Sequence, residues 1–463
     1  MGSRAAGRAV AAAVAVVAAA SAGTAPSAAQ TEEPVRPNIL IVMTDDQRAS
    51  GTLEVMPETR RWFESGGTSF VNALATTPTC CPSRASVMTG LYAHNHGVRT
   101  SERGQGELMD QQLTTQRYLR REGYRTAMYG KYLNAWPRRL DPPWFDDWAI
   151  LSDSTARAYF GGRWNVNGDV GIKKGYSTRI IERKALKLVA RAERDDEQPW
   201  LMYLTPMSPH LPAQPHPDDA RADVPAFERT PAMLEDDRSD KPSEVRDQAV
   251  DPKVVRRWRR LQLRSLMSVD EMVGEVFRLL EEKGELEDTL AIFMSDNGFL
   301  WGEHGLSQKI RPYEESAEIP FLVRWPGHLE PGAVDERLVA NVDIAPTVVE
   351  AAGAAAEHDY DGRSLLTSDR DRLLLEQWKR ETRTVPNWAA LRAGDFLYVE
   401  YYGEDRLVPV FREYYDLAED PWELENLLGD QDLMNDPQDA PQLSLQLHRD
   451  VSCAGTSGAA ACP

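Results

Sequence analysis

The chain of 463 residues carries 53 Lys and Arg residues against 72 Asp and Glu residues, so its formal net charge is -19. Hydrophobic residues make up 42% of the chain and charged residues 27%, and its mean hydropathy is -0.49. This composition excludes a disordered or membrane-embedded protein, and the negative charge opposes binding to nucleic acid. An anionic ligand would therefore need a local cationic pocket.

The N-terminal residues 1–29 predict a secretory signal peptide. Arg4 and Arg8 precede an Ala/Val-rich run over residues 9–20, and small residues follow it. The run is too short to span a bilayer as a stable helix, and its flanks are typical of a cleaved leader. An Ala-rich disordered extension is the alternative. We therefore expect a secreted or extracytoplasmic protein with no membrane partner.

Five apolar runs of strand length follow, at residues 39–43, 125–129, 200–204, 290–294 and 319–323. Helical patterns separate them, and one places Ile181, Ala185 and Leu188 on a single face. The alternation predicts an α/β fold with a large mixed, mostly parallel sheet sandwiched between helices. Past Gly353, runs at 396–402 and 407–411 suit a smaller antiparallel sheet. We expect a catalytic domain over 37–353, a C-terminal subdomain over 354–430 and a tail over 431–463.

Polar side chains follow three of the predicted strands. Asp45 and Asp46 follow the first, His210 comes after the run at 200–204, and Asp296 and Asn297 follow the run at 290–294. Sheets of this kind hold their sites at the carboxyl ends of the strands, although two aspartates after a strand are more often a turn or cap. Residues 212–252, rich in Pro, Asp and Arg, predict a long surface excursion near this edge.

The segment from Cys80 to Gly90 predicts a helix whose N-terminus attracts negative charge. Pro82 suits the first helical position and Gly90 the residue after the end. Free backbone N–H groups beside Cys80 and Cys81, with the guanidinium of Arg84, would bind an anion. A nucleophile at this place would meet an anionic substrate.

The same segment resembles a family signature. Cys-x-Pro-Ser-Arg followed by Thr-Gly, with its first cysteine at Cys80, is similar to the motif of type I, formylglycine-dependent sulfatases of the alkaline-phosphatase-like superfamily. Similar motifs continue in family order over residues 37–428, and Gly-Lys-Tyr-Leu-Asn at 130–134 looks most like the N-acetylglucosamine-6-sulfatase branch. One alternative is an ordinary helix in which the two cysteines are buried or bonded to each other. The other is a zinc site formed by Cys80, Cys81, His94 and His96, although these residues lack the ligand spacing that is usual for zinc.

The resemblance implies a set of site residues. A formylglycine-generating enzyme would convert Cys80 to the catalytic aldehyde, and the metal ligands would be that residue with Asp45, Asp46, Asp296 and Asn297. Their oxygen atoms favour Ca²⁺, with Mg²⁺ possible, over zinc. The groups expected to bind sulfate or the leaving oxygen are Arg84, Lys131, His210 and Lys309. By itself, an exposed lysine is normally only a solvated charge.

His96 and His304 are further catalytic candidates, although loop histidines often only satisfy local hydrogen bonds. Many sulfatases carry a histidine two residues after the position of Lys131, where this chain has Leu133. We expect His96 to take over the missing proton transfer.

The resemblance implies hydrolysis of sulfate monoesters on a carbohydrate such as N-acetylglucosamine 6-sulfate, in the degradation of glycosaminoglycans or other sulfated carbohydrates. Hydrated formylglycine would attack the sulfur, and His210 or Lys309 would protonate the departing alcohol. The alternatives are an arylsulfatase, a phosphonate monoester or phosphodiester hydrolase of the same superfamily, and a non-catalytic glycan-binding relative.

Two further cysteines, Cys453 and Cys462, lie in a Gly/Ala/Ser-rich tail. The intervening residues bend easily, so we predict a disulfide bond between them. Because its loop would be short and peripheral, we expect a small effect on stability.

Overall fold

A ten-stranded mixed sheet forms the centre of the fold, and its inner strands are nearly continuous apolar runs because both of their faces are buried. A two-stranded hairpin lies between two of its strands in the chain, and a four-stranded sheet follows its last strand. The strands are β1 (Asn38–Thr44), β2 (Thr68–Leu74), β3 (Arg125–Gly130), β4 (Asp147–Leu151), β5 (Arg163–Val166), β6 (Asp169–Ile172), β7 (Trp200–Thr205), β8 (Thr289–Ser295), β9 (Leu300–Trp301), β10 (Ser307–Gln308), β11 (Phe321–Arg324), β12 (Ala333–Ala340), β13 (Arg372–Gln377), β14 (Asn387–Ala393), β15 (Phe396–Tyr402) and β16 (Pro409–Asp416).

The computed structural model describes residues 36–463 except 153–155, 193–197, 382–384, 404–407 and 431, with scattered residues among the first 15. Most of the predicted signal peptide, residues 1–29, therefore lies outside the described residues. The α-helices are α1 (Pro57–Thr59), which continues as a wide turn over Arg60–Glu64, α2 (Cys80–Thr89), α3 (Ala93–His96), α4 (Thr115–Arg121), α5 (Ser177–Ala192), α6 (Ser243–Arg246), α7 (Pro252–Lys283), α8 (Glu314–Ala317), α9 (Ile344–Ala351) and α10 (Ala440–Asp450).

The large sheet has the order β12-β2-β11-β8-β1-β7-β3-β4-β5-β6. β1 pairs in parallel with β7 and β8, and β3 pairs in parallel with β7 and β4, whereas β11 runs antiparallel to its two neighbours. The carboxyl ends of β1, β3, β7 and β8 therefore meet at one edge. The four strands of the smaller sheet, β13 to β16, pair antiparallel in chain order. This arrangement confirms the predicted fold class.

Alternate side chains of β1 enter two separate apolar cores. Ile39 and Ile41 pack with α2 and α9, while Leu40 and Val42 pack with α5 and α7. Capping residues define where α7 begins and ends: Asp251 caps its first turn, and Gly284, with φ of 81°, ends its last turn. Helices thus cover both faces of the sheet, as expected for an α/β fold.

Three predicted boundaries are wrong by about two residues. The strand expected at 319–323 begins at Phe321, because Pro320 has no N–H to donate to a ladder. α2 begins at Cys80 rather than Pro82. Pro82 is tolerated at the third position of the helix because the N–H groups of the first turn have no helical partners, so no hydrogen bond is lost there. The strand expected at 407–411 begins at Pro409, and Leu407 lies outside the described residues.

Cys453 and Cys462 are bonded, which confirms the predicted disulfide. The bridge is not peripheral, however, because both cysteines are buried against the smaller sheet, and the carbonyl of Cys453 accepts a hydrogen bond from Asn95 at 2.9 Å. The prediction that the bridge is peripheral is therefore wrong, and a peripheral position no longer supports the expectation of a small effect on stability.

The residues from Arg36 onward form one compact unit, and the domain boundaries predicted at 353 and 430 stay predictions. Within the described part of the chain, no helix combines the length and the apolar character needed to cross a bilayer.

Candidate active site

Three strand ends deliver predicted side chains to one place. Asp45 and Asp46 follow β1, Lys131 follows β3, and Asp296 follows β8. The backbone joins these ends directly, since the N–H of Asp296 donates to the carbonyl of Thr44 at 3.1 Å. The site therefore lies at the carboxyl edge of the sheet, where it was expected.

The N-terminus of α2 brings Cys80 to this edge. Its position is fixed by the buried side chain of Asn341, which donates to the hydroxyl of Ser83 at 2.9 Å and accepts from the N–H of Thr76 at 3.0 Å. Gly90 ends the helix in the left-handed conformation, with φ of 69°. Cys80 thus occupies the first helical turn, where the helix dipole favours negative charge.

Cys80 lies in the middle of a charged cluster. Its Sγ is 3.4 Å from Oδ1 of Asp45 and 3.9 Å from Oδ1 of Asp46, and the Nζ of Lys309 donates to it at 2.7 Å. Ligand atoms of Asp45, Asp46, Cys80 and His210 all lie within 4.8 Å of one another. The structure therefore gathers residues that are far apart in the sequence around one buried sulfur atom.

A second layer of bonds holds the carboxylates in place. Arg84 is fully buried, and its Nε donates to Oδ2 of Asp296 at 2.7 Å while its Nη1 donates to the carbonyl of Lys131 at 2.7 Å. Its Nη2 lies 3.9 Å from Oδ2 of Asp45 and makes no hydrogen bond among the described residues. One N–H corner of Arg84 thus remains available to an anion bound in the cluster.

The cations keep the carboxylates ionised. Burial alone would favour their neutral forms, but Lys131 and Arg84 outweigh it at Asp45, and Lys309 outweighs it at Asp46, so the pKa of each carboxyl lies below its usual value. Burial and the charge of Asp45 raise the pKa of the Cys80 thiol to about 12. An unmodified Cys80 therefore stays protonated near neutral pH and is a weak nucleophile.

The donor set fits a hard divalent cation. Oδ1 of Asp46 and Oδ1 of Asn297 both accept from Lys309, so ligand oxygens already converge on a positive charge. Asp296 joins them through the N–H of Asp46, which donates to its Oδ1 at 3.2 Å. Carboxylate and amide oxygens are the ligands that Ca²⁺ and Mg²⁺ prefer.

Lys131 enters the cluster through a turn that only glycine allows. Gly130 has a φ of 123°, and a Cβ atom on it would lie 2.0 Å from the carbonyl of Thr205. The Nζ of Lys131 is then 2.5 Å from Oδ2 of Asp45, with the side chain almost wholly buried. Lys131 is therefore a fixed positive charge rather than a solvated one.

His210 lies at the rim of the cluster. Its Nδ1 is 2.6 Å from the carbonyl of Leu211, so this nitrogen carries a proton, and its Nε2 points toward Oδ2 of Asp46 at 3.8 Å. The side chain is 25% exposed, compared with 11% for Lys309. Of the two, His210 is thus the group nearer to solvent.

The structure does not bring His96 to the cluster, so the expectation that it acts there as a base fails. Its Nε2 bonds to the hydroxyl of Ser86 at 3.1 Å, and its Nδ1 accepts from the N–H of Val98. Burial lowers the pKa of His96 to about 3. Leu133 packs in the apolar core beside Cys81, which offers no place for a charged ring.

His304 is also absent from the cluster, because its buried ring bonds instead to Glu235 and packs on Tyr313. The zinc alternative fails as well. His94, one of its four ligands, bonds to Glu376 and to the carbonyl of Cys453.

A polar cavity of about 280 Å³ opens beside Lys309. Its lining includes Gln248 from the long excursion, with the cationic side chains of Arg311 and Arg380. These two arginines were not predicted as site residues, and an isolated arginine in a loop carries no signal that would identify it. The cavity therefore adds two positive charges to that of Lys309.

Known proteins match most of this chain. Residues 37–354 match the family model described as Sulfatase, and residues 302–449 match the model for the C-terminal part of N-sulphoglucosamine sulphohydrolase. The chain is 32% identical over 368 residues to the extracellular sulfatase SULF-1 homolog of Drosophila melanogaster, with 74% of this chain aligned. It spans only 32% of the length of that relative.

An N-acetylglucosamine-6-O-sulfatase of Bacteroides thetaiotaomicron is 28% identical over 483 residues, which cover 86% of this chain and 84% of that protein. A solved structure of a protein with its substrate D-glucosamine-2-N,6-O-disulfate superposes with a TM-score of 0.78 at 23% identity, covering 89% of this chain and 97% of the other. This likeness shows a shared fold. Since the sulfatase model matches well over half of its residues, the chain belongs to the sulfatase family.

Proposed function

We propose that this protein hydrolyses sulfate monoesters on a carbohydrate such as N-acetylglucosamine 6-sulfate, through a formylglycine formed from Cys80. The observation that carries the proposal is the position of Cys80, buried at the start of α2 among two aspartates and Lys309. Sulfatases as a family use formylglycine and a divalent metal. The formylglycine-generating enzyme is then a partner during maturation.

A divalent cation held by Asp45, Asp46, Asp296 and Asn297 would polarise the sulfate oxygens, and the hydrated aldehyde at position 80 would supply the attacking oxygen. We favour Ca²⁺ over Mg²⁺, because Ca²⁺ binds several carboxylate and amide oxygens in a flexible geometry, whereas Mg²⁺ is usually held by one or two carboxylates and keeps several water molecules.

The remaining residues bind and orient the sulfate group. The unpaired Nη2 of Arg84 and the ammonium of Lys131 present positive charge beside Asp45, so both would stabilise negative charge that develops on the sulfuryl oxygens. Lys309 lies against residue 80 and would neutralise charge at the attacking oxygen. His210, at the rim, would act as the imidazolium: it would donate its Nε2 proton to the departing alcohol and keep the proton on Nδ1 that the Leu211 carbonyl accepts.

The cavity beside Lys309 supports a polar, anionic substrate. Arg311 and Arg380 line it, and a sugar sulfate could place its ester at Cys80 while its ring fills this space. The relatives named as N-acetylglucosamine-6-sulfatases support the same substrate class. The relatives named as extracellular sulfatases support a secreted or extracytoplasmic location. A role in degrading sulfated carbohydrates is supported by the relatives named as N-acetylglucosamine-6-sulfatases.

The test is a substrate screen with protein produced together with a formylglycine-generating enzyme. Sulfate release is measured from N-acetylglucosamine 6-sulfate, other sulfated monosaccharides and 4-nitrophenyl sulfate, and phosphate release from N-acetylglucosamine 6-phosphate. We expect the highest kcat/KM on a sugar sulfate and none above background with Cys80→Ala. Higher kcat/KM on the phosphate ester would favour the phosphoesterase alternative, and a preference for the aryl ester would favour an arylsulfatase.

A further inference from the structure

A second cluster of metal-binding side chains lies outside the active site. His304, Glu315 and Glu423 come from the turn between β9 and β10, from α8 and from the loop after β16, and their ligand atoms lie within 4.8 Å of one another. All three side chains are buried, and none belongs to the cluster around Cys80.

The ring of His304 is oriented as a metal ligand would be. Its Nδ1 lies 2.8 Å from Oε2 of Glu235, and this bond places the ring proton on Nδ1. Its Nε2 is fully buried, has no hydrogen-bond partner among the described residues and faces Glu423, whose Oε2 is 4.0 Å away. A carboxylate that orients a histidine through the nitrogen opposite the ligating one is a common partner of zinc-bound histidine.

The two carboxylates leave oxygen atoms for the same space. Oε2 of Glu315 is buried and without a hydrogen-bond partner in the described chain, while its Oε1 lies 3.6 Å from the guanidinium of Arg48. The carboxylate of Glu423 accepts from the N–H of Glu314 at 3.2 Å. A neutral imidazole nitrogen and two carboxylates therefore converge from three chain segments.

The surroundings contain more buried negative than positive charge. Arg48 is shared between Glu303 and Glu315, and Lys241 lies 2.9 Å from Glu235, but no lysine or arginine in the described part of the chain forms an ion pair with Glu423. The cluster must therefore hold protons or a cation, since uncompensated buried charge is costly.

We propose that His304 Nε2, Glu315 and Glu423 bind a zinc ion as a structural site separate from the catalytic metal. One imidazole and two carboxylates suit zinc, whose charge they would balance, better than Ca²⁺, which prefers oxygen alone. The backbones of His304 and Glu423 are held in the left-handed region, with φ of 53° and 55°. Such strain persists where surrounding interactions fix the side chain.

A zinc ion here would join the hairpin that leads to Lys309 with α8 and with the loop that follows the smaller sheet. It would thus stabilise the segment that presents Lys309 to Cys80, without contacting the substrate. The inference does not rest on the proposed function, because zinc content is measured without any sulfate ester.

The test removes the catalytic metal site first. Asp296→Ala, Asp296→Ala/His304→Gln and, as a matched control, Asp296→Ala/His358→Gln are equilibrated with ZnCl2, desalted and analysed for zinc by mass spectrometry. His358 is a half-buried histidine that bonds to Tyr118 away from both clusters. We expect ~1 zinc per chain in the first and third proteins and ~0 in the second.

Equal zinc content with and without His304 would overturn the proposal. In case the variants fold poorly, crystals of the unmodified chain grown with ZnCl2 give an independent answer from anomalous scattering at the zinc edge. A peak between His304, Glu315 and Glu423 supports the site. The proposal is refuted if these crystals hold zinc at the catalytic cluster but show no peak between the three residues. It is also refuted if the site formed by the three residues binds only Ca²⁺.

Discussion

The leaving-group acid can be identified by two substitutions measured on two substrates. In the cluster, Lys309 is buried against Asp46, Asn297 and Cys80, whereas His210 lies at the rim with its Nε2 3.8 Å from Asp46. A group that protonates a departing alcohol must reach the side from which the alcohol leaves. We therefore predict that His210 is the acid and that Lys309 stabilises charge at the attacking oxygen.

The two roles give different magnitudes. A positioned general acid contributes roughly 10²- to 10⁴-fold to a reaction with a poor leaving group, which is about 2.7–5.4 kcal/mol. 4-Nitrophenolate leaves without a proton, so His210→Gln should slow the aryl sulfate by less than about tenfold. The side chain of His210 is 25% exposed and its contact with Asp46 is long, so little stability should be lost. Lys309→Met removes the buried positive charge that lies beside Asp46, so it should slow the hydrolysis of both substrates alike, by roughly 10²-fold or more.

The assay is kcat/KM for N-acetylglucosamine 6-sulfate and 4-nitrophenyl sulfate, with metal content measured in every variant. His216→Gln is the matched control, because this residue lies close to His210 in the chain and has a similar exposure of 21%. Equal losses on the two substrates in His210→Gln would refute the assignment. A loss confined to the sugar sulfate in Lys309→Met would give the role of acid to the lysine instead.

Cys80→Ala should abolish activity, whereas Cys81→Ser should retain much of it, and mass spectrometry of the peptide ending at Arg84 should find the aldehyde at position 80 only. Asp296→Ala should lose the catalytic metal, as elemental analysis of calcium-loaded protein would show. Replacing both Cys453 and Cys462 by serine should lower the free energy of unfolding by roughly 2–3 kcal/mol, measured with denaturant. Because the pKa of His96 is about 3, far below that of an unfolded histidine, this residue favours folding above pH 6.5 and loses that contribution toward pH 3. Stability should therefore fall less steeply from pH 6.5 to 4 in His96→Gln.

The sequence predicted the fold because its strands carry local signals. β1 and β8 each contain an unbroken apolar run and are each followed directly by aspartate, and parallel strands place such ends at one edge of a sheet. The site residues Asp45, Asp46, Asp296 and Asn297 could thus be placed together before any contact was known. The family motif then placed Cys80 with them, which strand patterns alone could not do.

The two histidines show what sequence proximity cannot decide. His96 follows α2 closely in the chain, yet its nitrogens bond to Ser86 and to the backbone of Val98 rather than to residue 80. His304 lies between β9 and β10, near Lys309 in sequence, but its ring turns toward Glu235. Spacing gives the neighbourhood of a side chain, while its direction depends on partners that are distant in the sequence.

The surroundings of Leu133 limit which groups can replace the histidine that is missing at this position. That position lies in the apolar core with Cys81 and supplies no base itself. The described side chains close to the Cys80 sulfur are Asp45, Asp46, Lys309 and, at the rim, His210. The two aspartates are expected to bind the metal, and His210 would lose its proton in the first step. A neutral His210 left by that step is then the base at hand for the second, so one side chain would serve both half-reactions.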